Sequence, residues 1–198
     1  MNHKKKAVWA GAIIMFCLIF APWITFGGNR NAPPSKGVSY ETVADYVHSV
    51  IEADRTIYTT HVVNRMQDNG IVSATEHWKQ ENGLPLPAQF LNYAGRMVAK
   101  NSHGVHYRLI SLWPIYRRNG PATDFERRGL ETVLKHPDRP FAGQVSTGKR
   151  TYFQAIYADK AVAKACVTCH NKHPLSPKRD FKLLDVMGGI VITIPLEK

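Results

Sequence analysis

The chain has 198 residues, with 26 lysines and arginines against 15 aspartates and glutamates, a formal charge of +11. That length accommodates one membrane segment and one domain of about 150 residues, and excludes a multidomain enzyme. A hydrophobic content of 44% with dispersed Gly and Pro excludes a mainly disordered, collagenous or low-complexity protein, and three cysteines are too few for a disulfide framework at this size.

Residues 1–6 (MNHKKK) form a basic tail, and residues 7–26 (AVWAGAIIMFCLIFAPWITF) carry no charged side chain. A helix of that length matches a hydrocarbon core of about 30 Å. The positive-inside rule leaves the lysines in the cytoplasm and places everything beyond Phe26 on the periplasmic side of a bacterial inner membrane. A cleaved signal peptide has a shorter apolar run and a small-x-small site, and the stretch Pro22 to Phe26 lacks one, so the segment reads as an uncleaved single-pass anchor. Residues 27–38 (GGNRNAPPSKGV) read as a tether, and 39–198 as the exported domain. Its basic residues are scattered and belong to no recognised DNA or RNA module, so nucleic acid is not an expected partner; an acidic redox protein, a larger membrane complex or the membrane surface suits the charge better.

Within the domain, apolar residues at 43, 47, 50, 51, 57, 58 and 62 predict a long helix from Ser39 to Met66, stopped at Asn69-Gly70. Pro85 and Pro87 introduce a short helix over 88–98. Val105 to Leu112 reads as a strand, and Thr123-Asp124-Phe125-Glu126 as a capping box that opens a helix ending before Pro137. Phe141–Ser146 and Arg150–Tyr157, joined by Thr147-Gly148-Lys149, predict an antiparallel hairpin. A short helix over Ala158–Cys169 and a β-branched strand over Gly188–Leu196 complete the chain. This order predicts an α+β fold, an antiparallel sheet with helices covering one side.

Cys166-Val-Thr-Cys169-His170 has the C-x-x-C-H arrangement of c-type haem attachment. Two thiols one helical turn apart can each add to a vinyl group of the porphyrin, and the next imidazole then lies against the iron. Two other readings exist. A zinc site would need Cys169 and the adjacent His170 on one tetrahedral ion, or His173 instead, and a dithiol redox centre normally opens a helix in a βαβ unit that this chain lacks. Covalent haem accounts best for the spacing, and the predicted export agrees with it. Lys178 and Arg179, just beyond the motif, are candidate partners for the haem propionates.

The stretch CVTCHNKHPLSPKRDFKLLDVMGGIVITIPL, with FERRGLETVLKHP and YTTHVVNRM upstream, resembles the monohaem c-type cytochrome domain with a PAS-like fold first found in cyanobacteria, which also serves as the extracytoplasmic sensor region of some histidine kinases and cyclases. The resemblance spans residues 39–196. It implies one covalent haem c held between a PAS-like sheet and the first helix, with His170 as proximal iron ligand. It also makes His61 on that helix the leading candidate for the distal ligand, ahead of His106, a methionine such as Met66, or an open position; His48, by contrast, shares a helical face with Glu52, Arg55 and Thr59 that reads as solvent-facing. Some relatives carry a cysteine on this helix, and this chain has none there. The expected function is one-electron transfer by a membrane-anchored periplasmic cytochrome; the alternatives are a redox or gas sensor acting through a partner, and a haem enzyme.

Overall fold

A computed structural model describes residues 37–102 and 104–196. The predicted tail and anchor, most of the tether and the last two residues lie outside that range. Among the described residues no helix is long and apolar enough to cross a membrane.

The first helix starts at Ser39, whose hydroxyl accepts the Thr42 N–H, and α1 covers Tyr40–Ile57. It continues without a break through a π-helical segment, Tyr58–Asn64, into α2 (Arg65–Asp68), and Gly70 with φ of 65° ends it. Two short parallel strands, β1 (Ala74–Thr75) and β2 (Leu84–Pro85), lead to α3 (Pro87–Asn101), which begins on a proline whose missing N–H costs nothing there. After β3 (His106–Ile110) comes α4 (Asp124–Lys135). Half of its predicted capping box forms: Thr123 accepts the Glu126 N–H, but the Glu126 carboxylate turns to the Ala122 N–H and to Arg108. The hairpin of β4 (Phe141–Thr147) and β5 (Arg150–Lys160) follows, then α5 (Lys164–Lys172) and β6 (Val186–Pro195).

The four long strands form one antiparallel sheet in the order β3-β6-β5-β4. Helices cover both of its faces, which corrects the one-sided expectation. Phe153, Ala155, Tyr157, Ile190, Ile192 and Ile194 pack with Ala44, Ile51 and Leu91 from α1 and α3, whereas Ile156 and Val191 pack with Leu130 and Val133 of α4. The physical reason is the run Gly189-Ile-Val-Ile-Thr-Ile, apolar at both parities of the pleat and therefore buried on both sides. A second correction concerns α5. Strand β5 runs on to Lys160, so the helix starts at Lys164, later than Ala158, and the C-x-x-C-H motif sits inside it instead of at its end.

His48 also departs from expectation. Its ring stacks on Tyr157 with centroids 3.9 Å apart, and its Nε2 is buried without a partner among the described residues. Burial lowers its pKa from the ordinary 6.5, with the Glu52 and Asp45 carboxylates pulling the other way. The unfolded chain therefore binds this proton more readily: the His48 contribution to stability is complete above about pH 6.5 and is lost as the pH falls below it. His48→Phe, which keeps the stack, should flatten this part of the pH dependence, as measured by urea unfolding at about pH 5.5 and about pH 7.5; an unchanged slope would assign it to other groups.

Candidate haem site

The helix α5 places Cys166, Cys169 and His170 at i, i+3 and i+4, one face of a single turn. That face lines a cavity of about 570 Å³, within the range of small-molecule and cofactor sites. Leu109, Ile110, Trp113, Pro114 and Met187 supply apolar walls, and Gly188 lies beside the Ile110 carbonyl so closely that any Cβ would collide with it. The first helix adds Arg55, Thr59, Val63 and Gln67. In a regular α-helix these four-residue steps would drift by about 40° each; the wider π-helical turn at 58–64 keeps them in line, a distortion that often accompanies function.

Both thiols are free and half-buried. Burial raises the pKa of each, and although the Arg55 charge pulls Cys166 the other way, the net direction is opposite to the depressed thiols of dithiol redox centres. The pKa of His170 is lowered chiefly by burial and further by the Arg55 charge, so its imidazole is neutral at neutral pH with a lone pair free for a metal. Its Nδ1 is buried and has no hydrogen-bond partner among the described residues. Two thiols and a neutral imidazole on one helix face, an orphaned ring nitrogen and a mostly apolar cavity form a donor set that fits haem.

Several polar residues that periodicity passed over meet here. Arg55, only 8% exposed, pairs end-on with Asp159: Nη1 lies 2.9 Å from Oδ1, and Nη2 donates to Oδ2 at 3.2 Å. Asp159 stands at a register irregularity between β5 and β6, where a strand can re-aim a side chain, and burial raises its pKa against the pull of Arg55. On another part of the lining, Glu76 accepts the Tyr116 hydroxyl at 2.6 Å and faces His173 Nε2 at 3.3 Å. Nδ1 of His173 accepts the Leu175 N–H, so Nε2 carries the proton and the histidine is a fixed structural partner next to the motif. The signal available in the sequence was that 48, 52, 55 and 59 share a helical face; their polarity suggested water, yet Arg55 and Thr59 are buried.

Of the predicted site residues, Cys166, Cys169 and His170 come together. His61 does not join them: it is exposed and absent from the cavity lining, because the buried side of the helix runs through Ile51, Arg55, Thr59 and Val63, while Ile57, taken as part of the apolar stripe, is 55% exposed. His106 and Met66 also lie outside the lining, His106 resting its Nδ1 against the Gly104 carbonyl. Lys178 and Arg179 are likewise clear of it. Lys178 pairs with Asp180 over the Trp113 and Phe181 rings, and Arg179 donates to the Pro174 and Ser176 carbonyls, so both brace the loop after α5; the guanidiniums that line the cavity belong to Arg55 and Arg118. Of the aromatic side chains nearby, Trp113 reaches the cavity, whereas Phe153 and Tyr157 belong to the core and Phe90 stacks on Tyr58.

In sequence the chain matches none of the curated proteins. The crystal structure of the cyanobacterial heme-protein Tll0287 is similar at 15% identity and a TM-score of 0.48, over 81% of this chain and 99% of that one. The model of the Tll0287-like family matches residues 38–195, nearly the whole described domain, and the chain belongs to that family.

Proposed function

We propose that the domain binds one haem covalently through Cys166 and Cys169, with His170 as an iron ligand, and that it moves single electrons on the periplasmic side of a bacterial inner membrane, anchored by residues 7–26 of the chain. The observation that carries this reading is the single face of α5 on which both thiols and the imidazole line the cavity. We read the helix-covered antiparallel sheet as PAS-like. When bound, the haem supplies a one-electron couple. The chain fixes the group with two thioethers, excludes water with Leu109, Ile110 and Met187, and offers Arg118 at the lining to an anionic propionate. A redox protein or membrane complex with an acidic face suits the net charge.

The test is a preparation from a host with the haem-attachment machinery, read by the alkaline pyridine spectrum, a redox titration and electron paramagnetic resonance. One thioether-linked haem per chain and a reversible one-electron wave are expected, and deletion of residues 1–26 should leave the chain without covalent haem. His61→Ala should leave the resonance spectrum of the oxidised protein unchanged. A low-spin signal that disappears in this variant would restore His61 as a ligand.

A second reading, a sensor that works through a partner, is favoured by one feature: the stretch of first helix lining the cavity presents no imidazole, thioether or thiol, so that a second protein ligand would have to come from His77 or Met187 elsewhere in the lining. A carrier profits from two strong protein ligands, whereas a sensor needs one exchangeable position.

A further inference from the structure

Helix α1 carries an apolar face that the domain does not use. Ala44, Ile51 and Arg55 turn into the fold and are buried, whereas Tyr46, Val50 and Ile57 are 66%, 61% and 55% exposed, and Ala53 between them is exposed as well. At ~100° per residue the two sets lie about 150° apart around the helix, so the second points away from the sheet. Single exposed apolar side chains are ordinary. These four are different, because they follow one another in steps of four, three and four residues, the alternation of a coiled-coil seam.

We propose that this face pairs, in parallel, with the same face of a second copy of the chain. In heptad terms Val50 and Ile57 fall at a, with Tyr46 and Ala53 at d, and β-branched residues at a suit a parallel pair of helices. The charges permit it. Asp54 is the one charged residue at the flanking e and g positions, beside Thr42, Val47, Ser49 and Thr56, while Glu41, Asp45 and Glu52 fall at c and f, outside the contact. The same carboxylates disfavour other covers for the face, since an anionic lipid surface or an acidic protein would meet repulsion there.

Orientation and strength follow from the chain that precedes the helix, and here the proposal rests on the anchor reading above. The proposed anchor ends at Phe26 and α1 begins at Tyr40, so two copies in one membrane present these helices with their N-termini side by side. The short tether also raises the effective concentration of one face for the other. Both matter because the seam is short. It stops where the π-helical turn at 58–64 breaks the repeat, and a seam of this length does not hold free helices together. In this protein the domain has already formed the helix, and confinement supplies the rest.

The experiment is disulfide mapping of the full-length, haem-loaded chain in the membranes of its expression host, with Cys17→Ala removing the thiol outside the haem motif. Tyr46→Cys, Val50→Cys, Ala53→Cys and Ile57→Cys are made singly, with Glu41→Cys and Glu52→Cys as controls, and dimers are read on a non-reducing gel after mild oxidation. A disulfide needs Cα atoms within about 7 Å, so all four seam variants should link several-fold more than the two controls. Val50→Glu, a change on the exposed side of the helix, should reduce the Ala53→Cys link to the control level. If that double variant fails to fold, the mapping decides alone. Seam variants that link no more than the controls overturn the proposal, as does linking at one seam position only, the mark of an antiparallel pair, or an undiminished link in folded Val50→Glu. A dimer in the Cys17→Ala background would instead reveal free thiols at Cys166 or Cys169 and count against the haem reading, and a chain found in the soluble fraction would count against the anchor. The excess of seam over control links is read in either case, so these failures are distinguishable from that of the seam.

Discussion

Replacing Cys166 and Cys169 together by alanine is expected to produce a chain with no haem that survives denaturation. On a denaturing gel the peroxidase stain of covalent haem should vanish, and the intact mass should fall to that of the bare polypeptide. Each single variant should keep one thioether and hence a stained band, because the two positions are one turn apart and attach independently. The fold should survive the double change. Both thiols are half-buried on a short helix, while the sheet is closed by Ile110, Ile156, Ile190, Val191 and Ile192 without them. Retention of stain in the double variant would contradict the assignment of the motif, and with it the proposed electron transfer.

The largest effect on stability is expected at Asp159. Its carboxylate is the partner of an arginine that the fold keeps from solvent, with side chains 7% and 9% exposed. Asp159→Ala would leave the guanidinium buried and uncompensated, a change that typically costs about 3–5 kcal/mol. Against a total of about 5–15 kcal/mol for a domain of this kind, that is a loss easily read from a shift of the urea midpoint. Replacing both partners, Arg55→Met with Asp159→Leu, should recover much of the loss, since two apolar side chains need no compensation. An Asp159→Ala variant within about 1 kcal/mol of wild type would mean that water reaches the pair. In the haem-loaded protein the same substitution should also perturb the Soret band, because Asp159 and Cys166 line one cavity.

The sequence carried a good deal of this. Ser39 and Gly70 bound the first helix, Pro87 opens the third, and Thr147-Gly148-Lys149 turns the hairpin, because caps and turns depend on the conformational limits of single residues. The C-x-x-C-H spacing is likewise local: within one helical turn, separation along the chain determines separation in space. Where the reading failed, the deciding partner was far away in the chain. Arg55 and Thr59 resemble solvent-facing residues until Asp159, 104 positions later, arrives to pair with the guanidinium. His61 resembles a buried residue until the π-helical turn rotates the face that meets the cavity. Lys178 and Arg179 resemble anion binders in sequence, whereas the folded loop turns Lys178 to Asp180 and Arg179 to the Pro174 and Ser176 carbonyls. By itself, then, the sequence determined most of the elements and the C-x-x-C-H spacing, which rest on neighbours within a turn or two. Only the tertiary structure decided which polar side chains face the cavity, because the burial of a charge depends on whether a distant segment brings its counter-charge.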